Sequence, residues 1–215
     1  MTDTQTLIST LSREVAPSAP MPTPRYWALR LVAVLMAYGV VTQWVLGIRP
    51  DLAMQWTRPL FVVEIGLLVA LVLASAIAGI LTMYPDAYQK RTLLRLPYLV
   101  FLLLAGLIAF QLGMPADVRM VIPQTFPYAM ECTLCIGSAA LIPAALLFMV
   151  LRKGASVHPF QAGIFAVLTA SSIGCLTLRL SESNDSMMHL ALSHYLPTLF
   201  FAALGAVVGK MLLKW

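Results

Sequence analysis

Six apolar stretches fill this chain from Tyr26 onward, and its basic residues gather on alternate connections between them. The stretches run over about residues 26–46, 59–82, 96–112, 130–151, 159–180 and 190–212. Each approaches the ~20 residues that a helix needs to cross ~30 Å of hydrocarbon. A helix also satisfies its own backbone, which lipid demands. The expected fold is therefore an all-α membrane protein, a six-transmembrane-helix bundle. Composition agrees: mean hydropathy is +0.86 and charged residues make up 11%, where a soluble domain carries about 25%.

The net charge of +5 does not point to nucleic acid, because no basic stripe interleaved with aromatics accompanies it. Topology explains it better. With the N-terminus inside, the cytoplasmic side receives ten Lys and Arg: Arg13, Arg25, Arg30, Lys90, Arg91, Arg95, Arg152, Lys153, Lys210 and Lys214. The other side receives four: Arg49, Arg58, Arg119 and Arg179. That bias in short loops predicts N-in and C-in. Trp27, Trp44, Trp56 and Trp215 fall near the expected interfaces, where amphipathic rings settle.

Residues 1–24 lack the basic start, apolar middle and small-residue cleavage site of a signal peptide. They read as a cytoplasmic unit ahead of the membrane domain of residues 25–215. Asp3 to Val15 predict a short amphipathic helix, with Leu7, Ile8, Leu11 and Val15 on one face. Pro17, Pro20, Pro22 and Pro24 then make a stiff tether. A helix of about three turns is marginal alone in water, so it needs headgroups or a partner protein to lie on.

Polar residues inside the apolar stretches are few. Glu64 stands about one turn from the outer end of the second span, where it either snorkels to the interface or serves function. Arg49 and Asp51 are placed to pair in the turn after the first span, between Gly47 and Pro50. Pro97 is expected to shorten the third span, and the connection from Gly113 to Ala129 is the longest outer loop. Ala162, Ala166, Ala170 and Gly174 form a small-residue ladder, and Gly205 and Gly209 form a G-x-x-x-G pair. Both read as packing faces within the bundle.

The three cysteines cluster by topology. Cys132 and Cys135 form a C-x-x-C at the outer start of the fourth span, and Cys175 lies near the outer end of the fifth. On that side of a bacterial inner membrane lies the oxidising periplasm. A thiol at a helix N-terminus is also favoured to ionise, although Glu131 opposes this. Three readings stay open: a redox or thiol-reactive sensor, a soft-metal site of Cys132 and Cys135 with His189, or inert small hydrophobes. His189 and His194 are five apart, about 140° around an α-helix, so they are not expected to act as a pair; His194 reads as a packing residue. No nucleophile–base constellation, phosphate loop or paired carboxylates appear, and an enzyme is not expected.

Read in order, the chain resembles the negative-regulator-of-sigma-F (NrsF-like) family of six-helix inner-membrane anti-sigma factors. The resemblance rests on Leu7-Ile8-x-x-Leu11 before a proline tether and on Gly47-Ile48-Arg49-Pro50-Asp51-Leu52. Glu131-Cys132-Thr133-Leu134-Cys135-Ile136-Gly137 follows, then Arg152-Lys153-Gly154-Ala155 before Pro159, and Leu212-Leu213-Lys214-Trp215 at the end. It implies a regulator that holds an extracytoplasmic-function sigma factor at the membrane and releases it on periplasmic oxidative or heavy-metal stress. The sensing cysteines map onto Cys132 and Cys135. The family's further cysteine before the last helix has no counterpart in Leu180 to Asp185, with Cys175 several residues earlier. The expected partners are the sigma factor, docked on Leu7, Ile8, Leu11 and Val15, and the lipid bilayer, with no direct nucleic-acid contact. No cofactor is required, and soft-metal binding at the cysteines would be transient. The alternative is a periplasm-facing membrane thiol oxidoreductase, which ordinarily relays disulfides through a second cysteine pair. A small-molecule transporter is less well matched, since no internal repeat appears.

Overall fold

The structure is a computed structural model and describes residues 3–14, 21–114 and 126–213. Helix α1 (Thr4–Glu14) stands ahead of the bundle. Then come α2 (Pro24–Leu46), a short α3 (Leu52–Gln55), α4 (Pro59–Leu81), α5 (Arg91–Gly113), α6 (Phe126–Leu151) and α7 (Pro159–Ser181). The last span, Met187–Leu212, starts as α8 (Met187–His189), passes through a π-helical turn at Leu190–Tyr195 and ends as α9 (Leu196–Leu212). Among the described residues there is no strand, and six helices are long and apolar enough to cross a membrane. Proline opens α2, α4 and α7, where its missing N–H costs nothing and its fixed φ suits the first turn.

Pro97 does not shorten the third span. Helix α5 begins at Arg91 and carries Pro97 inside it. Near a helix start the ring forfeits only one hydrogen bond, so the helix continues across it.

The bundle is organised around α7, which packs against α2, α4, α6 and α9. It is the most enclosed span, with 72% of its most apolar stretch buried, against 11% for α2 at the periphery. Its sequence explains this position. Ala162, Ala166 and Ala170 are at most 1% exposed and let neighbours approach the backbone. At Gly163 the approach is closest: a Cβ there would collide with the Gly205 carbonyl and lie 2.8 Å from the Gly209 Cα. The G-x-x-x-G pair of α9 is thus spent inside the chain, against α7. Gly174 does the same on another side, where a Cβ would meet the Ile136 carbonyl oxygen of α6 at 2.9 Å. In lipid, close van der Waals contact and interhelical hydrogen bonds replace the hydrophobic effect as the glue. The hydroxyl of Thr169 in α7 donates to Ser75 of α4 at 2.8 Å, and Tyr38 of α2 donates to the Ala139 carbonyl of α6 at 2.6 Å.

The two ends of the bundle differ. At one end Tyr84 donates to the Pro22 carbonyl, and Ala155 N–H donates to the Met83 carbonyl at 3.0 Å. These bonds join the α4–α5 and α6–α7 connections to the start of α2. At the other end Gly47, at φ +80°, turns the chain out of α2, and Arg49 N–H donates to the Leu180 carbonyl at 3.0 Å.

Replacing Gly163 with Val should lower the melting temperature in detergent, since overpacking costs about 1–3 kcal/mol. Gly106→Ala, with nothing within 4 Å of the added methyl, should leave it unchanged or slightly higher. Equal melting temperatures for the two variants would remove the role of Gly163.

Candidate functional site

The Arg49 end gathers the buried Arg49, Glu64 and Arg179 around the short connection Glu182–Ser186 between α7 and α8. Asp185 accepts from Arg49 at 3.0 Å through both terminal nitrogens, from Arg179 Nη1 at 2.7 Å and from Gln55 Nε2 at 2.8 Å. Arg58 Nη1 stands 3.6 Å away. Arg49, whose side chain is fully buried, also grips Asp51 with two bonds of 2.7 and 2.8 Å. Arg179 reaches Glu64 at 3.0 Å, and Tyr195 donates its hydroxyl to the same carboxylate. Three guanidinium groups therefore meet three carboxylates. Arg49, Arg179 and Glu64 are buried, and each is held by charge-assisted hydrogen bonds, the condition under which buried ions persist.

These pairs hold the Asp51 and Asp185 carboxylates ionised. Burial alone would raise the Asp185 carboxyl, yet the hydrogen bonds from Arg49 and Arg179 keep it below the ordinary range. The hydrogen bonds from Arg49 and Gln55 lower Asp51 as well. Burial works against the Arg49 charge, and the hydrogen bonds of Asp51 and Asp185 more than offset it, so its pKa is raised. The sequence reading allowed Glu64 to snorkel to the interface. It is instead 1% exposed and paired. Arg49 and Asp51 do pair, but as part of a buried network rather than on the surface.

Beside this network lies a second cluster, also built on the 182–186 connection. His189 Nε2 stands 3.0 Å from Glu182 Oε1. His194 Nε2 stands 3.2 Å from Glu182 Oε2, and Cys132 Sγ lies 3.6 Å from that oxygen. One potential ligand atom from each of the four residues lies within 4.8 Å of every other. Burial would raise the Glu182 carboxyl, but the hydrogen bonds and positive potential of His194 and His189 hold it below its usual range.

The π-helical turn makes the histidine pairing. Hydrogen bonds of the i→i+5 type widen the turn, so residues five apart align. The rings of His189 and His194 sit 5.3 Å apart, where an ordinary α-helical turn would have splayed them. Pro197, which lacks an N–H, follows the π-helical turn, and the Ser193 carbonyl, four residues before it, accepts from Thr133 of α6 at 3.1 Å.

The cysteines separate in structure. Cys132 faces Glu182 and lies in the second turn of α6, which begins at Phe126. That is beyond the first turn to which the helix dipole is confined, so the N-terminal activation expected from sequence does not apply. Cys135 is half-buried and not part of the four-residue cluster, although sequence had grouped it with His189. Cys175 is buried and donates to the His194 carbonyl at 3.4 Å, beside Thr198 Oγ1 at 3.2 Å. On α1, Leu7, Ile8 and Leu11 are each more than half exposed. Val15 and residues 115–125 of the long outer connection lie outside the described residues. Glu182, Asp185 and His194 were not singled out from sequence as site residues. Their signal was rarity: four of only nine acidic residues, Asp51, Glu64, Glu182 and Asp185, meet here.

The family described as negative regulator of sigma F matches residues 11–215. This chain belongs to that family. The match covers nearly the whole chain, including all six spans and both clusters, and makes a sigma factor the partner of the family's regulation. No curated protein and no solved structure matches.

Because Asp51 and Asp185 are lowered on folding, their contribution is complete above the unfolded value of about 3.9 and is lost as pH falls below it toward the folded values. Asp185→Asn should cost about 1.5–3 kcal/mol near neutrality, because it removes the charge-assisted bonds from Arg49 and Arg179 while leaving them Asp51 and Glu64. It should also flatten the acid limb of thermal stability in detergent. An acid limb as steep as the parent's would contradict the network.

Proposed function

We propose that the chain is a membrane-embedded anti-sigma factor of a bacterial inner membrane. It sequesters an extracytoplasmic-function sigma factor at the cytoplasmic face and releases it when periplasm-facing cysteines meet oxidative or heavy-metal stress. The family match over residues 11–215 carries this reading.

The charge distribution supports an orientation with both termini cytoplasmic. Arg91, Arg95, Arg152 and Lys153 stand at the Tyr84 end, where positive charge is expected on the cytoplasmic side. At the opposite end Arg49, Arg58 and Arg179 are offset by Asp51, Glu64 and Asp185, so little net positive charge faces the other compartment.

The sigma-binding element is α1, joined to the bundle by the proline tether. All its described side chains are exposed, and Leu7, Ile8 and Leu11 share a face that suits a helix-in-groove complex, with Val15 continuing it. An 11-residue helix is marginal alone, so docking on the sigma factor would complete it.

The sensing element is the outer start of α6 with Cys132, Cys135 and the neighbouring Cys175. Ile136 follows Cys135 and packs on Gly174, next to Cys175. A shift of α6 at this point would press on α7, the centre of the bundle. At the far end the α6–α7 connection is bonded to Met83, and Tyr84 to Pro22, close to the tether. For this to switch the protein, the trigger must favour one of two bundle arrangements.

Leu7→Asp with Leu11→Asp should free the sigma factor, since each apolar anchor of such a groove is worth about 2 kcal/mol, roughly thirtyfold in affinity. Sequestration unchanged in the double variant would sink the role of α1. Cys132→Ser with Cys135→Ser should keep sequestration and abolish stress induction of a sigma-dependent reporter; full induction would discard the thiols as sensors.

A further inference from the structure

Three potential ligand atoms converge on one carboxylate: Cys132 Sγ and His194 Nε2 lie 3.6 and 3.2 Å from one Glu182 oxygen, and His189 Nε2 stands 3.0 Å from the other. His189 and His194 are 0% and 1% exposed. An apolar core gains nothing from such a set, yet four different elements supply it: α6, the connection after α7, α8 and the π-helical turn. On the far side of the first ring, Ser193 Oγ lies 3.3 Å from His189 Nδ1. His194 Nδ1 is buried without a hydrogen-bond partner among the described residues, so nothing on that side fixes its tautomer.

We propose that this cluster is a binding site for a borderline-soft divalent cation of the zinc and cadmium type, with Cys132, Glu182, His189 and His194 as its four ligands. One thiolate, two imidazoles and one carboxylate complete a tetrahedral set for such an ion. Calcium and magnesium prefer six or more oxygens and would leave the thiol and imidazoles unused.

Binding balances without redox chemistry. The cation replaces the thiol proton, which leaves to solvent. Each imidazole binds through Nε2 and carries its proton on Nδ1, and the His189 Nδ1–H then donates to Ser193 Oγ. Such outer hydrogen bonds fix ring orientation in metal sites. One proton is released, and the charges of Cys132 and Glu182 cancel the ion's two. Tetrahedral bonds of about 2.0–2.3 Å put ligand atoms about 3.5 Å apart, close to the 3.0, 3.2 and 3.6 Å that now separate Glu182 oxygens from His189, His194 and Cys132. The ion would therefore bind with little rearrangement and tie α6 to the 182–186 connection and the last span. This deepens the sensing reading above and rests on it only for its consequence, sigma release. It assigns neither Cys135 nor Cys175 as a ligand.

The test uses the full chain, solubilised in detergent, reduced and metal-free, titrated with cadmium chloride alone. The expected result is one cadmium per chain with a thiolate-to-cadmium absorption band. Cys132→Ser should abolish the band, and Glu182→Gln and His194→Ala should weaken binding at least tenfold. Cys135→Ser and Cys175→Ser should bind as the parent does, with a gel-filtration profile confirming that each variant is folded. Ser193→Ala should cost about tenfold or more. No binding by the parent, a band that survives Cys132→Ser, or a band lost in Cys135→Ser would each overturn the site. Sigma-factor copurification is read separately on the metal-free protein. Its absence from the metal-free protein, when that protein still binds cadmium on titration, defeats the anti-sigma reading and leaves the site standing, whereas its presence without cadmium binding defeats the site alone.

Discussion

Asp185 is gripped from two sides by Arg49 and Arg179, and this double ion pair sets the geometry of one whole end of the bundle. Each arginine also holds a second carboxylate, Asp51 for Arg49 and Glu64 for Arg179, so neither guanidinium is left uncompensated, which would be costly in a low-dielectric setting. The pairing ties the turn after α2, the end of α7 and the connection to α8 into one unit, and Glu64 and Tyr195 extend it to α4 and the last span. Glu182 stands three residues before Asp185 on the same connection. The network therefore also fixes the carboxylate on which Cys132, His189 and His194 converge.

From that end, the small residues of α7 carry rigidity through the bundle. Gly163 sits against Gly205 and Gly209, and Gly174 against Ile136, so α6, α7 and α9 touch nearly backbone to backbone. Contacts this close have little slack. A displacement of the first turns of α6 cannot be absorbed by side-chain rearrangement alone, which makes α7 the natural relay toward the connections near Met83 and Pro22.

Much of this architecture was legible in the sequence, because bilayer thickness dictates span length and small residues in lipid dictate packing faces. The six spans follow from the first, and the roles of Ala162, Ala166, Ala170 and the Gly205–Gly209 pair from the second. What escaped the sequence depends on departures from ideal helices and on partners distant along the chain. Pro97 was expected to shorten a span whose helix in fact runs across it. The α-helical wheel separated His189 from His194, and the π-helical turn brings them together. Cys132 was expected at a helix N-terminus, but α6 begins earlier, at Phe126. Glu64 looked solitary because its partner Arg179 lies 115 residues away. Glu182 and Asp185 looked like ordinary loop acids because nothing local reveals that a loop is buried.

The central claim is that this membrane protein holds a sigma factor and lets it go when its opposite, cysteine-bearing end is challenged. The most direct measurement is affinity purification of the tagged, detergent-solubilised chain, with its partners identified, before and after exposure of the cells to cadmium or an oxidant. The account predicts a sigma factor bound before exposure and lost after it. No sigma factor in either sample would contradict it.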